Sequence, residues 1–560
     1  MSTTLSRVHA AYARIEAADR PELWIDLRPR AQVEAEARRL DARVAAGERL
    51  PLAGRLLAVK GNIDVAGLPT TAGCPTYAYD PPADAEVVAR LRRAGALVLG
   101  TTNLDQFATG LVGSRSPYGA VRNALDPARV SGGSSSGSAV AVALGIVDLA
   151  LGTDTAGSGR VPAAFNGVVG VKPTRGLVPT TGVVPACASL DCVTVFARTL
   201  PEAEQAMTYM TPPRDLPPLP QRTPGPWRIA VAAREQLGEL DEGWAQAYET
   251  AVTQMAEAGA DVRVIDLTPF TEAAAMLYEG AFVAERYTAV GSFIDKAMAT
   301  GAKGLDPTVA GIITRARDIP AHQLFADQDR LAALRARALT ELADADALLL
   351  PTTPGHPTLA EVAADPLGAN ARLGRFTNST NLFDLSAVAV PAGEVNGLPF
   401  GVMLIGPAFT DDRLARIADL LQPEARLAVV GAHLSGQPLN PQLLALGARL
   451  ERTTTTAPVY RLHALPTSPP KPGLVHVGES GSAIETEVWH LPAEGLGRLL
   501  TTLPRPMTLG RVQLADGTSV PGFLCEPAAV TDAEDITAYG SWRSYLHRPH
   551  PQKGPHPTDE

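Results

Sequence analysis

Residues 132–163 read GGSSSGSAVAVALGIVDLALGTDTAGSGRVPA. A Gly-Ser run opens onto an Ala/Val stretch, which ends in a second glycine-flanked serine, Ser158. The pattern predicts one Ala/Val helix, entered through Ser/Gly, and then a short strand running into GTD. Residues 56–67, LLAVKGNIDVAG, predict a strand ending at Lys60 followed by a loop. Residues 84–103, DAEVVARLRRAGALVLGTTN, predict a helix that turns at Gly95 into a buried strand. Helices alternating with buried strands are the texture of an α/β sheet protein.

The same blocks carry a chemistry. Cleaving an amide needs a nucleophile, fixed donors for the oxyanion and a proton for the departing nitrogen. Ser158 supplies the first. The small residues before it let the backbone N–H groups of Thr155, Ala156, Gly157 and Ser158 turn toward one point. No histidine follows in a nearby block, so a Ser-His-Asp relay is not evident. Lys60, ending an apolar strand, can replace the histidine if burial keeps it neutral, and the Ser134–Ser136 loop offers a bridging hydroxyl. Ser135, Ser136 and Ser138 read as loop and helix-cap groups. Asp154 and Arg160, which flank the nucleophile, read as structural, as do Asp64 and Asp191.

The 560 residues exceed one core, so at least two domains are expected. With 59 acidic against 49 basic side chains the formal charge is −10, which argues against sequence-independent nucleic-acid binding. Cys74, Cys187, Cys192 and Cys525 form no CxxC pair and read as buried free thiols, which fits a reducing compartment. The N-terminus lacks a signal-peptide pattern, and no stretch is apolar enough for a membrane span. A cytoplasmic protein without metal or other cofactor is expected.

Helical periodicity marks residues 1–45, and later strands are expected at 227–233, 346–354, 386–393 and 400–407. From about Arg426 the segments become short strands separated by Pro and Gly. An α/β domain over 1–425, a smaller, mostly β domain over 426–548 and a disordered Pro-rich tail over 549–560 are therefore expected.

The 132–163 block, with Ser134 and Ser158 24 apart, and KGNIDVAG closely resemble the amidase signature family. The resemblance implies a mixed β-sheet sandwiched between helices, with Ser158 the nucleophile, Ser134 the relay on a cis peptide bond and Lys60 the base. Gly159 departs from the aliphatic residue usual before the arginine. LYEGAFVAERY (277–287) places Tyr278 and Arg286 eight apart, roughly on one side of a helix, where a guanidinium fork and a hydroxyl suit a carboxylate.

With NLDQFATGLVGSRSPYGAVRN (103–123) and VVGAHLSGQPLN (429–440), the whole chain resembles the allophanate hydrolase family. That resemblance implies hydrolysis of allophanate (urea-1-carboxylate) to ammonia and CO₂, with Gly110, Tyr278 and Arg286 holding the substrate. It also implies a γ-glutamyl cyclotransferase-like (α+β) C-terminal domain that decarboxylates N-carboxycarbamate. His433 is the candidate for that step, a structural histidine being the alternative; the domain also fits a role in assembly. Expected partners are the small substrate, a second copy of the chain, and urea carboxylase or cyanuric acid pathway enzymes. Other readings are a biuret or malonamate hydrolase, or an inactive scaffold.

Overall fold

The computed structural model describes residues 3–213, 225–421 and 424–548, so the tail expected at 549–560 lies outside the described residues. The chain divides into two compact units, residues 1–421 and 422–560.

The first unit is built on an 11-stranded sheet. Its strands are β1 (Trp24–Leu27), β2 (Leu56–Lys60), β3 (Leu97–Thr102), β4 (Leu149–Asp154), β5 (Val169–Lys172), β6 (Cys192–Ala197), β7 (Arg228–Ala232), β8 (Asp261–Ile265), β9 (Ala347–Pro351), β10 (Ser386–Val395) and β11 (Leu398–Gly406). Their order is β1-β3-β2-β4-β6-β5-β10-β11-β9-β7-β8. β2, β3, β4 and β6 are buried along their whole length, as their near-continuous apolar runs require. The mixed α/β fold class expected from the sequence is thus what the chain adopts.

Within this sheet β2 pairs in parallel with both β3 and β4, so the three strands deliver their carboxyl ends to one edge. Open α/β sheets place ligands at such carboxyl ends. Lys60 ends β2, Thr102 ends β3 beside it, and Asp154 ends β4.

The second unit is mostly β. It holds β12 (Glu424–Val429), β13 (Arg449–Thr455), β14 (Tyr460–Leu465), β15 (Lys471–His476), β16 (Glu485–Pro492), β17 (Met507–Gln513), β18 (Ser519–Cys525) and the short β19 (Glu534–Asp535). Five strands form one sheet, β13-β16-β12-β18-β17, and three another, β15-β14-β19. Leu427, Val429, Leu462, Val488 and Trp489 lie in a core of this unit's own.

Candidate active site

Lys60 is fully buried at the end of β2. Its Nζ lies 2.7 Å from Ser134 Oγ and 2.7 Å from Thr153 Oγ1. Burial pushes its pKa down to about 7; the carboxylates of Asp105, Asp191 and Asp154 pull upward and Arg286 pushes down. Much of the amine is therefore neutral near pH 7, as a proton-accepting lysine needs to be.

Ser134 is buried and follows a cis Gly133–Ser134 peptide bond. The loop is tied to the sheet by its neighbours. Ser135 Oγ donates to Thr153 O (3.1 Å), and Ser138 Oγ donates to Leu151 O (2.8 Å). Gly152 permits this approach, since a Cβ there would sit 2.7 Å from Ser135 Oγ. Ser135 occupies the N-cap position of the helix Ser136–Ala143 but makes no capping bond; it is spent on β4 instead.

Asp105 secures the Ser134 loop from the other side. Its carboxylate accepts N–H bonds from Val112, Gly113 and Arg115, and its own N–H donates to Ser134 O (3.1 Å). Burial raises its pKa against the pull of Arg115 and those N–H groups. A Cβ on Gly110 would lie 2.5 Å from Asp105 Oδ2, so this carboxylate accounts for Gly110.

Ser158 lies in the turn between β4 and the helix Val161–Asn166, almost wholly buried. The turn is clamped by a buried ion pair, Arg160 Nε to Asp154 Oδ2 at 3.0 Å. Arg160 also donates to Thr377 O, Thr380 Oγ1 and Asn381 Oδ1. Burial opposes charge on Asp154, but Arg160 outweighs it and holds the pKa below the usual range. Both residues thus act structurally.

Of the four N–H groups expected to face an oxyanion, Gly157 departs: its N–H donates to Asp154 Oδ1 at 2.8 Å. A carboxylate beside the turn competes for the same donor. The N–H groups of Thr155, Ala156 and Ser158 bond to no described residue. Thr155 Oγ1 donates to Asp191, whose carboxylate also accepts the N–H groups of Ala186 and Cys187. Thr377 Oγ1 donates to Ala156 O at 2.6 Å. Gly157 has φ +131°, and a Cβ there would meet Thr377 Oγ1 at 2.4 Å, so only glycine fits. The unusual Gly159 has a local cause as well: a Cβ would meet Thr194 Cγ2 of β6 at 2.7 Å.

Arg286 and Tyr278 meet, but not on one helix face. The helix Thr268–Glu279 stops, a 3₁₀ turn Ala281–Val283 intervenes, and a new helix runs from Ala284 to Ala299. Asp327 Oδ2 accepts the Ala281 N–H at 2.7 Å and fixes the break. Arg286 is fully buried; Nη2 donates to Tyr278 Oη (3.1 Å) and Nη1 to Thr109 Oγ1 (2.9 Å). Its Nε is buried with no partner among the described residues. A buried cation with an unused donor suits an incoming carboxylate. Thr109 adjoins Gly110, so the three expected substrate contacts converge.

In the second unit, β12 ends at Val429, and His433 sits on the turn that follows. Its ring stacks on Phe523 (centroids 4.8 Å apart), and Nε2 lies 3.3 Å from Gln442 Oε1. Burial pushes its pKa down to about 4, leaving it neutral at pH 7.

Sequence reasoning missed Thr153, Asp105 and Thr377 and underused Asp191. Thr153 carried a signal, being a polar residue at the carboxyl end of an apolar strand, and Asp105 lies three residues past the end of another. Thr377 lies too far along the chain to be linked to Ala156 by spacing. The four cysteines are buried and unpaired. No cluster of three or more His, Cys, Asp or Glu side chains suited to a metal ion occurs among the described residues. No described helix is long and apolar enough to cross a membrane.

Residues 7–415 match the family described as Amidase, and residues 425–547 match the Allophanate hydrolase C-terminal domain. The urea amidolyase of Lachancea kluyveri is 42% identical over 93% of this chain, but only 31% of that relative is covered. The chain thus spans about a third of that relative's length. The solved structure of Kluyveromyces lactis allophanate hydrolase superposes with a TM-score of 0.69 at 40% identity, covering 97% of each chain. That of the peptide amidase of Stenotrophomonas maltophilia superposes with a TM-score of 0.64 at 28% identity, covering 75% of this chain and 93% of its own. The chain belongs to the amidase family and carries the allophanate hydrolase C-terminal domain behind its amidase domain.

Proposed function

We propose that the chain hydrolyses allophanate by way of an acyl-enzyme on Ser158. Ser158 Oγ attacks the terminal amide carbonyl, and its proton passes to Ser134 as the Ser134 proton passes to neutral Lys60. The N–H groups of Thr155, Ala156 and Ser158 hold the oxyanion. Collapse expels ammonia, which takes its proton back along the same relay. Water then enters, again deprotonated through Ser134 and Lys60, and frees N-carboxycarbamate.

The observation that carries the substrate choice is Arg286, a fully buried cation with an unpartnered Nε beside Tyr278 Oη. A buried guanidinium favours a small carboxylate-bearing amide over a neutral or lipid one. The similarity to Kluyveromyces lactis allophanate hydrolase over 97% of the chain supports the same choice. In this reading His433 assists loss of CO₂ from N-carboxycarbamate as a neutral imidazole.

The chain then works in the cytoplasm beside an enzyme that carboxylates urea, a pairing supported by its match to part of a much longer urea amidolyase. A homodimer and a role after cyanuric acid ring opening rest on the family resemblance alone.

The test is kcat/KM for allophanate, malonamate and biuret, with the parent and Arg286→Lys. Allophanate is expected to lead, and the lysine, lacking the planar fork, to raise KM for the two carboxylates at least about tenfold. Preference for biuret, or an unmoved KM, would reject the assignment.

A further inference from the structure

A cavity of about 370 Å³ lies against Tyr278, the hydrogen-bond partner of Arg286, and is lined by Tyr278, Glu279, Val283, Ile312, Arg315 and Asn370 among others. Two of these residues are bonded to residues of the site or next to it. Tyr278 Oη accepts from Arg286, and Asn370 Oδ1 accepts the N–H of Leu111, next to Gly110. Tyr278 and Asn370 therefore tie the cavity lining, each by one hydrogen bond, to Arg286 and to the residue after Gly110. The volume falls in the range that holds drug-sized ligands, more than allophanate fills, so it suits approach rather than seating.

The charges in it are uneven in their commitments. Arg315, the last residue of the helix Pro307–Arg315, is exposed; its Nε donates to Gly311 O, and it has no ion pair among the described residues. Arg317, two residues on, is engaged with Asp295 and Asp318. Glu279 is exposed in the same lining. A chain of formal charge −10 repels an anion at long range, so an uncommitted cation on the route in has a disproportionate effect.

We infer that this cavity is the vestibule through which the anionic substrate reaches Arg286, with Arg315 attracting it and Glu279 opposing that attraction. The inference rests on the proposed carboxylate-bearing substrate. It makes Arg315 a specificity residue that acts before the chemistry.

Full-length parent, Arg315→Gln, Glu279→Gln and Arg317→Gln are compared for allophanate turnover at low and high NaCl. Their Ser158→Ala forms are titrated calorimetrically with malonamate and with its uncharged analogue malonamide. Arg315→Gln is expected to lower kcat/KM roughly three- to tenfold at low salt with kcat retained, and to weaken malonamate by a like factor. Glu279→Gln is expected to shift both the other way, and Arg317→Gln neither. Malonamide is expected to be indifferent, and the differences to shrink at about 0.5 M salt.

Equal changes for malonamate and malonamide, or an Arg317→Gln effect matching that of Arg315→Gln, would overturn the vestibule while leaving allophanate hydrolysis intact. The expected malonamate pattern in a parent that does not turn over allophanate would sink the substrate reading and leave the vestibule standing. A parent that neither turns over allophanate nor binds malonamate overturns both.

Discussion

Lys60 concentrates the proposed chemistry in one side chain. Moving a lysine from 10.5 to about 7 corresponds to roughly 5 kcal/mol of preference for the neutral amine inside the fold. In the proposed mechanism the base works neutral, so activity is expected to be lost as pH falls through the folded pKa and retained above it. We expect kcat/KM for a substrate of fixed charge to rise between pH 6 and 8 with a midpoint near 7; an acidic limb near 10 would contradict a desolvated lysine. Lys60→Arg substitutes a group that stays protonated, and a loss of roughly 10²–10⁴ in kcat is expected. At Gly159 the expectation concerns stability. Gly159→Ala drives a Cβ into Thr194 and is expected to cost about 1–3 kcal/mol in a melt, of which Thr194→Ala recovers part. Lys60, Ser134 and Ser158 stand out as candidates because small, glycine-punctuated blocks surround them. The bond made by the N–H of Gly157 was not legible: nothing in the spelling GTDTAGS says that Asp154 claims it.

At the scale of elements, the site depends on how ends and turns are tied. Parallel pairing of β2 with β3 and β4 brings Lys60, Asp105 and Ser158 together at one edge, and the apolar runs announced those strands. The break between the helices Thr268–Glu279 and Ala284–Ala299 was not announced, because apolar periodicity runs through Gly280 and the pinning carboxylate, Asp327, comes 46 residues after Ala281. Asp327→Ala is expected to loosen Tyr278 against Arg286. KM for allophanate should rise severalfold with kcat nearly kept, and a fall in kcat alone would argue against this role. Thr377→Val removes the bond to Ala156 O and is expected to cost about 1 kcal/mol of stability. Its larger effect should be on kcat, because the proposed mechanism takes an oxyanion donor from Ala156.

For the whole molecule, each unit has a core of its own: Leu57, Val59, Leu151 and Val195 lie in one, Leu427 and Trp489 in the other. A chain ending at residue 421 is therefore expected to fold and to release ammonia from allophanate at close to the parent kcat. His433→Ala in the full chain should leave ammonia release unchanged and slow CO₂ release, as should the chain ending at 421; CO₂ release at the parent rate in both variants would remove the catalytic role of His433. The change from α/β texture to short Pro- and Gly-bounded strands was readable in the sequence. The pairing of β12 with β16 and β18 was not, since strand order depends on contacts distant along the chain. Everything proposed for the first unit converges on one oxygen atom. The direct test is ammonia release from allophanate by purified Ser158→Ala, with an unchanged melting temperature confirming the fold. Loss of at least about 10³ in kcat is expected, whereas release at the parent rate would contradict Ser158 as the nucleophile.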